Sequence, residues 1–321
     1  MIDYLSATTS FEGKDINFVA HSLTLEAQYA SGWKKYYLQG CERLTVWLHP
    51  GFQMLRLEGS ISYFWQGHNF SFSRKDLETA ISQINRILGV PLWEASLNAF
   101  EFGNIMEVQM KPKEYIQHHA AAPKEHLILN EKPKDKGSFR WWEDKQTKLK
   151  MYDAKKNLLF KQGEDRRQII KDSGWQESGE YLKFEAHYLK PEYLNSGRAV
   201  MLWHLCNTDW QEILKNNLYS QYKRLLPMKG IITPKEKKDL STADILLLAM
   251  VEDSINEGRT LDELRKMLYN RVNSYPDEVL SKSDKDLRKA QIRKLLSKVQ
   301  EAPESIYDLS HQLKEALEAE K

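Results

Sequence analysis

Cysteine is nearly missing from this 321-residue chain, which holds only Cys41 and Cys206. Two such distant residues give neither a disulfide framework nor zinc-site spacing, and their scarcity points to a reducing compartment. Long apolar runs are missing as well. The best, Ile245 to Val251, is far too short to cross a bilayer. The amino terminus, Met1-Ile-Asp-Tyr, lacks a charged segment followed by an apolar one, so no export signal is expected. Neither sign of charge is in surplus: 47 Lys and Arg face 45 Asp and Glu, for a net charge of +2. Any footprint for nucleic acid must therefore be local. No Gly-rich phosphate loop, HExxH, CxxC or nucleophile-elbow motif occurs, which disfavours an ATPase or a zinc enzyme. These absences predict a soluble, cytoplasmic protein with no membrane partner.

Aromatic residues are plentiful, with 9 Trp, 15 Tyr and 11 Phe. A hydrophobic content of 41% supports a sizeable core, and the length predicts two domains. Residues up to about 70 read as β-rich. Arg43 to His49 alternates, Pro50-Gly51 turns, Met54 to Glu58 resumes the alternation, and Ser60 to Trp65 reads as a third strand. Ser73 then caps a helix whose apolar face is Leu77, Ala80, Ile81, Ile84, Ile87 and Leu88, ended by Gly89 and Pro91. Leu97 to Gly103 is predicted as a central strand, with Glu101 on one face and Phe100 and Phe102 on the other. A carboxylate there needs a cationic partner or a metal.

A short strand at His126–Leu129 follows, within a polar, proline-punctuated connection. Residues 132 to 171 carry thirteen Lys and Arg against six Asp and Glu, interleaved with Phe139, Trp141, Trp142 and Tyr152. Cations for phosphates and flat rings for bases make a single-strand binding composition, expected to use Arg140, Trp141, Trp142, Lys148, Lys150, Lys155 and Lys156. An ordinary solvated basic face is the alternative. Within this segment, Lys148-Leu-Lys-Met-Tyr-Asp-Ala-Lys-Lys156 alternates. Leu149, Met151 and Asp153 fall on one side, both lysines and Tyr152 on the other. A phenol flanked by cations suits an anionic ligand, and as a nucleophile it suits a phosphodiester. A plain surface tyrosine is the other reading. On the strand Glu180 to Leu189, Glu185 and His187 point the same way and suit one divalent ion, or simply a polar face.

Leu194 to Leu226 reads as mainly helical, with Trp203 and Trp210 as core anchors. Pro227 to Lys238 marks the predicted boundary between domains 1–226 and 227–321. Beyond it three or four helices are legible, at Ala243–Asn256, Leu261–Val272, Asp284–Val299 and Ile306–Glu318, as a plain helical bundle or, alternatively, a helix-turn-helix. Gly258 is read as a stop, and Thr260 with Glu263 as a capping box.

Gln66-Gly-His-Asn69, Phe100-Glu-Phe-Gly-Asn104, Lys148 to Lys155 and Tyr181-Leu-Lys-Phe-Glu-Ala-His187 fall in an order that resembles the rolling-circle replication initiators of small plasmids and filamentous phages. The resemblance covers roughly residues 45 to 200. It implies an α+β, relaxase-like nuclease domain: an antiparallel sheet with helices packed on it, here followed by an all-α C-terminal domain. It further implies a site-specific DNA nickase, with Tyr152 as nucleophile and Asp153 beside it. The products would be a 5′-phosphotyrosyl intermediate and a 3′-hydroxyl for a polymerase. Glu101 and Glu185, helped by His187, fall at its metal positions, and a carboxylate set favours Mg²⁺ or Mn²⁺. Ala154 and Lys183 stand where the family carries lysine and arginine, which supports a second expectation: a DNA-binding regulator on the same scaffold without cleavage. For the C-terminal helices, duplex binding, homodimerisation and helicase recruitment stay open.

Overall fold

The chain is described from a computed structural model covering residues 1–13, 23–38, 41–122, 124–131, 137–162, 168–169, 172, 174–176, 178–227, 231–232, 242–256, 259–297, 300–301 and 306–319. Alternation of small or apolar residues with polar ones builds most of it. The first eleven strands in chain order are β1 (Ile2–Ser10), β2 (Leu23–Gln28), β3 (Lys34–Leu38), β4 (Cys41–His49), β5 (Met54–Ser60), β6 (Ser96–Val108), β7 (His119–Ala121), β8 (Ile128–Glu131), β9 (Phe139–Glu143), β10 (Thr147–Asp153) and β11 (Glu180–Tyr188). All but β7 form one ten-stranded sheet, ordered β2-β3-β4-β5-β1-β6-β11-β10-β9-β8. Every neighbouring pair is antiparallel. The protein is thus α+β with a large antiparallel sheet.

Register decides which side chains meet. Lys150 lies opposite Glu185, and Tyr152 opposite Lys183. His187 lies opposite Glu101, and Glu185 opposite Gly103. Directly paired residues share a face, so this one face collects Glu101, Lys150, Tyr152, Lys183, Glu185 and His187. The other face takes Phe100, Phe102, Leu149, Met151, Leu182, Phe184, Ala186 and Tyr188, all fully buried. Helix Thr208–Tyr222 covers that apolar face: Tyr222 packs edge-on to Phe184, ring centres 5.5 Å apart, and Asn217 accepts from Tyr188 Oη at 3.0 Å.

Helix Arg74–Leu88 has the expected cap, with the Ser73–Asp76 box at its start and Gly89 at φ 63° at its end. Residues 61–66 depart from expectation. They form the helix Ile61–Gln66, because Ser60 caps it by accepting from Tyr63 N–H and Gly67, at φ 79°, closes it. Trp203 is 43% exposed, stacked on His204 at 3.8 Å, and so is no core anchor.

The chain divides into two units. One comprises Met1–Gln117, Ala121–Leu225 and Leu309–Lys321; the other His118–Ala120 and Leu226–Asp308. The expected single cut at 226/227 therefore needs correcting at its far end. The last helix, Ser310–Ala319, belongs to the sheet unit, where Asn104 Nδ2 donates to the Ala316 carbonyl at 2.8 Å. The second unit holds helices Thr242–Asn256, Leu261–Asn273 and Lys282–Leu296. Leu248, Val251, Ile255, Leu264 and Leu296 form its core. It also carries a two-residue ladder, Ile231–Ile232 with Gln300–Glu301. The Thr260–Glu263 capping box is present, whereas Gly258 and most of Pro227–Lys238 lie outside the described residues. Among the described residues no helix is long and apolar enough to cross a membrane.

Candidate active site

Three carboxylates from three strands meet on the charged face. Ligand atoms of Asp3, Glu101 and Glu185, on β1, β6 and β11, all lie within 4.8 Å of one another, and all three residues are buried. Such a group is costly unless cations and hydrogen-bond donors meet it. Here they do. Lys183 Nζ lies 2.9 Å from Asp3 Oδ2 and 2.7 Å from Glu185 Oε2. Lys150 Nζ pairs with Glu101 and lies 3.3 Å from Glu185 Oε1. His187 Nδ1 lies 2.8 Å from Glu101 Oε1, its ring stacked on Tyr4 at 5.3 Å. Ser60 and Ser62 donate to Asp3 Oδ1 at 2.6 and 3.1 Å, and Asn69 donates to Oδ2 at 2.7 Å.

Tyr152 Oη donates to Glu185 Oε2 at 3.1 Å. The cleft above, about 520 Å³, is lined in part by Asp3, Glu101, Lys150, Tyr152 and Glu185. The phenol and the acids therefore share one opening. Gly103 permits the approach of β11: a Cβ there would lie 2.3 Å from that of Glu185.

The electrostatics follow from burial and partners. Burial raises the Asp3 carboxyl, but Lys183 and the hydrogen bonds outweigh it and hold the pKa far below the usual range. Burial likewise works against Glu101, yet the His187 hydrogen bond and the Lys150 charge bring its pKa to about 2. Tyr152 is pushed well above the ordinary phenol value, first by burial and then by the Glu185 charge, with Lys183 opposing. Burial lowers Lys183, but the charges of Asp3 and Glu185 raise it well above an ordinary lysine. Asp3, Glu101 and Lys183 are therefore charged, and the Tyr152 phenol is neutral.

Of the expected site residues, Tyr152, Glu101, Glu185 and His187 come together. Asp153 does not join them. It points to the opposite side of β10, where Oδ1 accepts from Lys156 N–H at 2.9 Å at the start of helix Ala154–Gln162. Trp142 is a core residue, wholly buried opposite Leu149, so the expectation that it stacks on bases is corrected. Arg140 shares that face and is held by Glu131 and the carbonyls of Ile116 and Gln117. Trp141, Lys148 and Lys150 lie on the Tyr152 face, with Lys148 bonded to Glu143 at 3.1 Å. Lys155 donates to the Gly179 carbonyl at 3.1 Å, and Lys156 is exposed.

Asp3 was missed. A register shift between Ile2 and Leu5 throws it onto the charged face, against the simple alternation of β1. Asn69, in the Gln66–Asn69 stretch, carried a signal that its sequence did not connect to Asp3. No family model matches the chain, and no curated protein matches it.

Three carboxylates suit a divalent ion that prefers oxygen ligands, and two ammonium groups already balance most of their charge. The arrangement can thus hold a metal ion through Asp3, Glu101 and Glu185.

Proposed function

We propose that this protein is a metal-dependent DNA strand-nicking enzyme of the rolling-circle initiator kind, with Tyr152 as nucleophile. The observation that carries the reading is the Tyr152 Oη to Glu185 Oε2 bond of 3.1 Å at the floor of the acid-lined cleft. Glu185 Oε2 is placed to take the phenolic proton. The Tyr152 oxygen then forms a bond to phosphorus as the bond from phosphorus to the 3′ oxygen breaks. The 3′ oxygen leaves as a hydroxyl, with a proton from water, and a polymerase can extend it. Lys183, bonded to Glu185 and 5.6 Å from the Tyr152 ring centre, stabilises the developing phenolate. Mg²⁺ or Mn²⁺ held by the three acids would supply Lewis-acid stabilisation of charge on the phosphate. Phe139 and Trp141, beside Tyr152 and Lys150 on the same face, offer rings for unpaired bases.

The test is incubation with supercoiled origin plasmid and Mn²⁺, then mass spectrometry of the trapped DNA–peptide adduct. The expected adduct sits on Tyr152 and is abolished by Tyr152→Phe, with DNA affinity nearly unchanged. An adduct on Tyr181 or Tyr188 would remove Tyr152 from its role. Tyr188 faces the apolar side, and Tyr181 Oη donates to the Gln176 carbonyl.

A DNA-binding protein without cleavage is the second reading. It is favoured by the neutral, buried phenol and by the two lysines seated on the acids. Binding in low salt with neither nick nor adduct would select it.

A further inference from the structure

The two lysines among the carboxylates differ in one respect that decides what each can do. The Lys183 side chain is 1% exposed and is gripped by Asp3 and Glu185 at 2.9 and 2.7 Å. It lies under the cleft with nowhere to go. The Lys150 side chain is 16% exposed and lines the cleft, bonded to Glu101 and Glu185. Lys150 thus bridges two of the three acids that can hold a metal ion, and it does so from the open side.

Like charges in such a place repel strongly, since the interaction of two unit charges about 4 Å apart is several times larger near a protein surface than in bulk water. Lys150 holds Oε1 of Glu101 and Oε1 of Glu185, whereas Lys183 holds Oδ2 of Asp3 and Oε2 of Glu185, so a divalent ion entering from the cleft competes with Lys150 for its oxygens and leaves those of Lys183 alone. The flexible four-carbon stem of lysine lets its charge swing aside, whereas the buried Lys183 has no such freedom. Lys150 stands on β10 two residues from Tyr152 and on the same face, and both side chains line the cleft.

We propose that Lys150 is an exchangeable internal cation: it holds Glu101 and Glu185 together until a divalent ion enters, then turns into the cleft and binds the phosphate beside the one under attack. It is a positioning residue whose two partners, the acids and the phosphate, are used in sequence. This makes tight metal binding depend on DNA, because the phosphate gives the displaced ammonium a new partner. The inference rests on the metal-dependent reading above.

Two measurements test it, neither of them an assay of turnover. Mn²⁺ titration followed by electron paramagnetic resonance, without DNA, compares the wild type with Lys150→Met and Lys150→Gln. The expected result is Mn²⁺ affinity raised about tenfold or more in both variants, from removal of one competing unit charge, and lost in Glu101→Gln. An amine-reactive probe, read by mass spectrometry on the wild-type protein, reports whether saturating Mn²⁺ makes Lys150 more reactive while Lys183 stays protected. Unchanged or weaker Mn²⁺ binding in both variants would overturn the exchange, as would Lys150 labelling that ignores the metal. The adduct assay is run in parallel: adduct without exchange removes only the role of Lys150. Absence of adduct removes the nickase reading, and the titration still judges the exchange.

Discussion

On β11, Leu182, Phe184, Ala186 and Tyr188 turn to one side of the sheet and are wholly buried, while Lys183, Glu185 and His187 turn to the other. Strands β6 and β10 divide in the same way. The apolar face is stabilised by area removed from water, which is non-directional and tolerates changes of shape. The charged face is as deeply buried at Lys183 and Glu185, yet each group there depends on a named partner. One substitution on it strands a charge. One strand can therefore carry a forgiving side and an unforgiving side.

Adjacent residues test that contrast most sharply. Lys183→Met should cost about 3–5 kcal/mol, since it leaves Asp3 buried without its cation and Glu185 with Lys150 alone. Phe184→Leu, on the forgiving side, should cost under about 1.5 kcal/mol. Urea unfolding of both variants checks this, and equal losses would erase the distinction between the faces. Gly103→Ala comes next. Its methyl group would lie 2.3 Å from Glu185 Cβ, so strand separation should cost roughly 1–3 kcal/mol and move Glu185 off Tyr152. The readouts are thermal melting and yield of the DNA adduct.

A further test reads pH dependence. The Glu101 carboxyl is held at about 2 against an ordinary 4.5. A depressed carboxylate contributes stability that is present above the unfolded value and lost as pH falls through the folded one. Wild-type melting temperature should therefore drop between pH 4.5 and about 2 more steeply than that of Glu101→Gln. Parallel curves would mean that Glu101 gains nothing from its partners.

Much of this was legible in the residues because alternation records a face. The strand at 148–153, the pairing of Glu185 with His187 on one side, and the helix opened by Ser73 all follow from period and capping. The charged face itself was readable, though not its full membership. Asp3 escaped because a bulge in β1 breaks the alternation on which such readings depend. The helix at 61–66 reads as a strand in sequence because its aromatic and β-branched residues favour strands, while its cap at Ser60 outweighs them. Trp142 shows the opposite error: composition marks a ring as available, but only register assigns it to the core.

The final helix has a consequence for how the chain is put together. The backbone leaves the sheet unit at Leu225 and returns at Leu309, whose N–H donates to Tyr222 Oη at 2.7 Å. Exit and re-entry are neighbours, so residues 226–308, which with His118–Ala120 make up the second unit, are spliced into the chain of the sheet unit. A short glycine–serine bridge in place of residues 226–308 should preserve the fold, whereas simple truncation after Leu225 should forfeit the strap formed by Ser310–Ala319. Circular dichroism on the two shortened proteins would tell them apart.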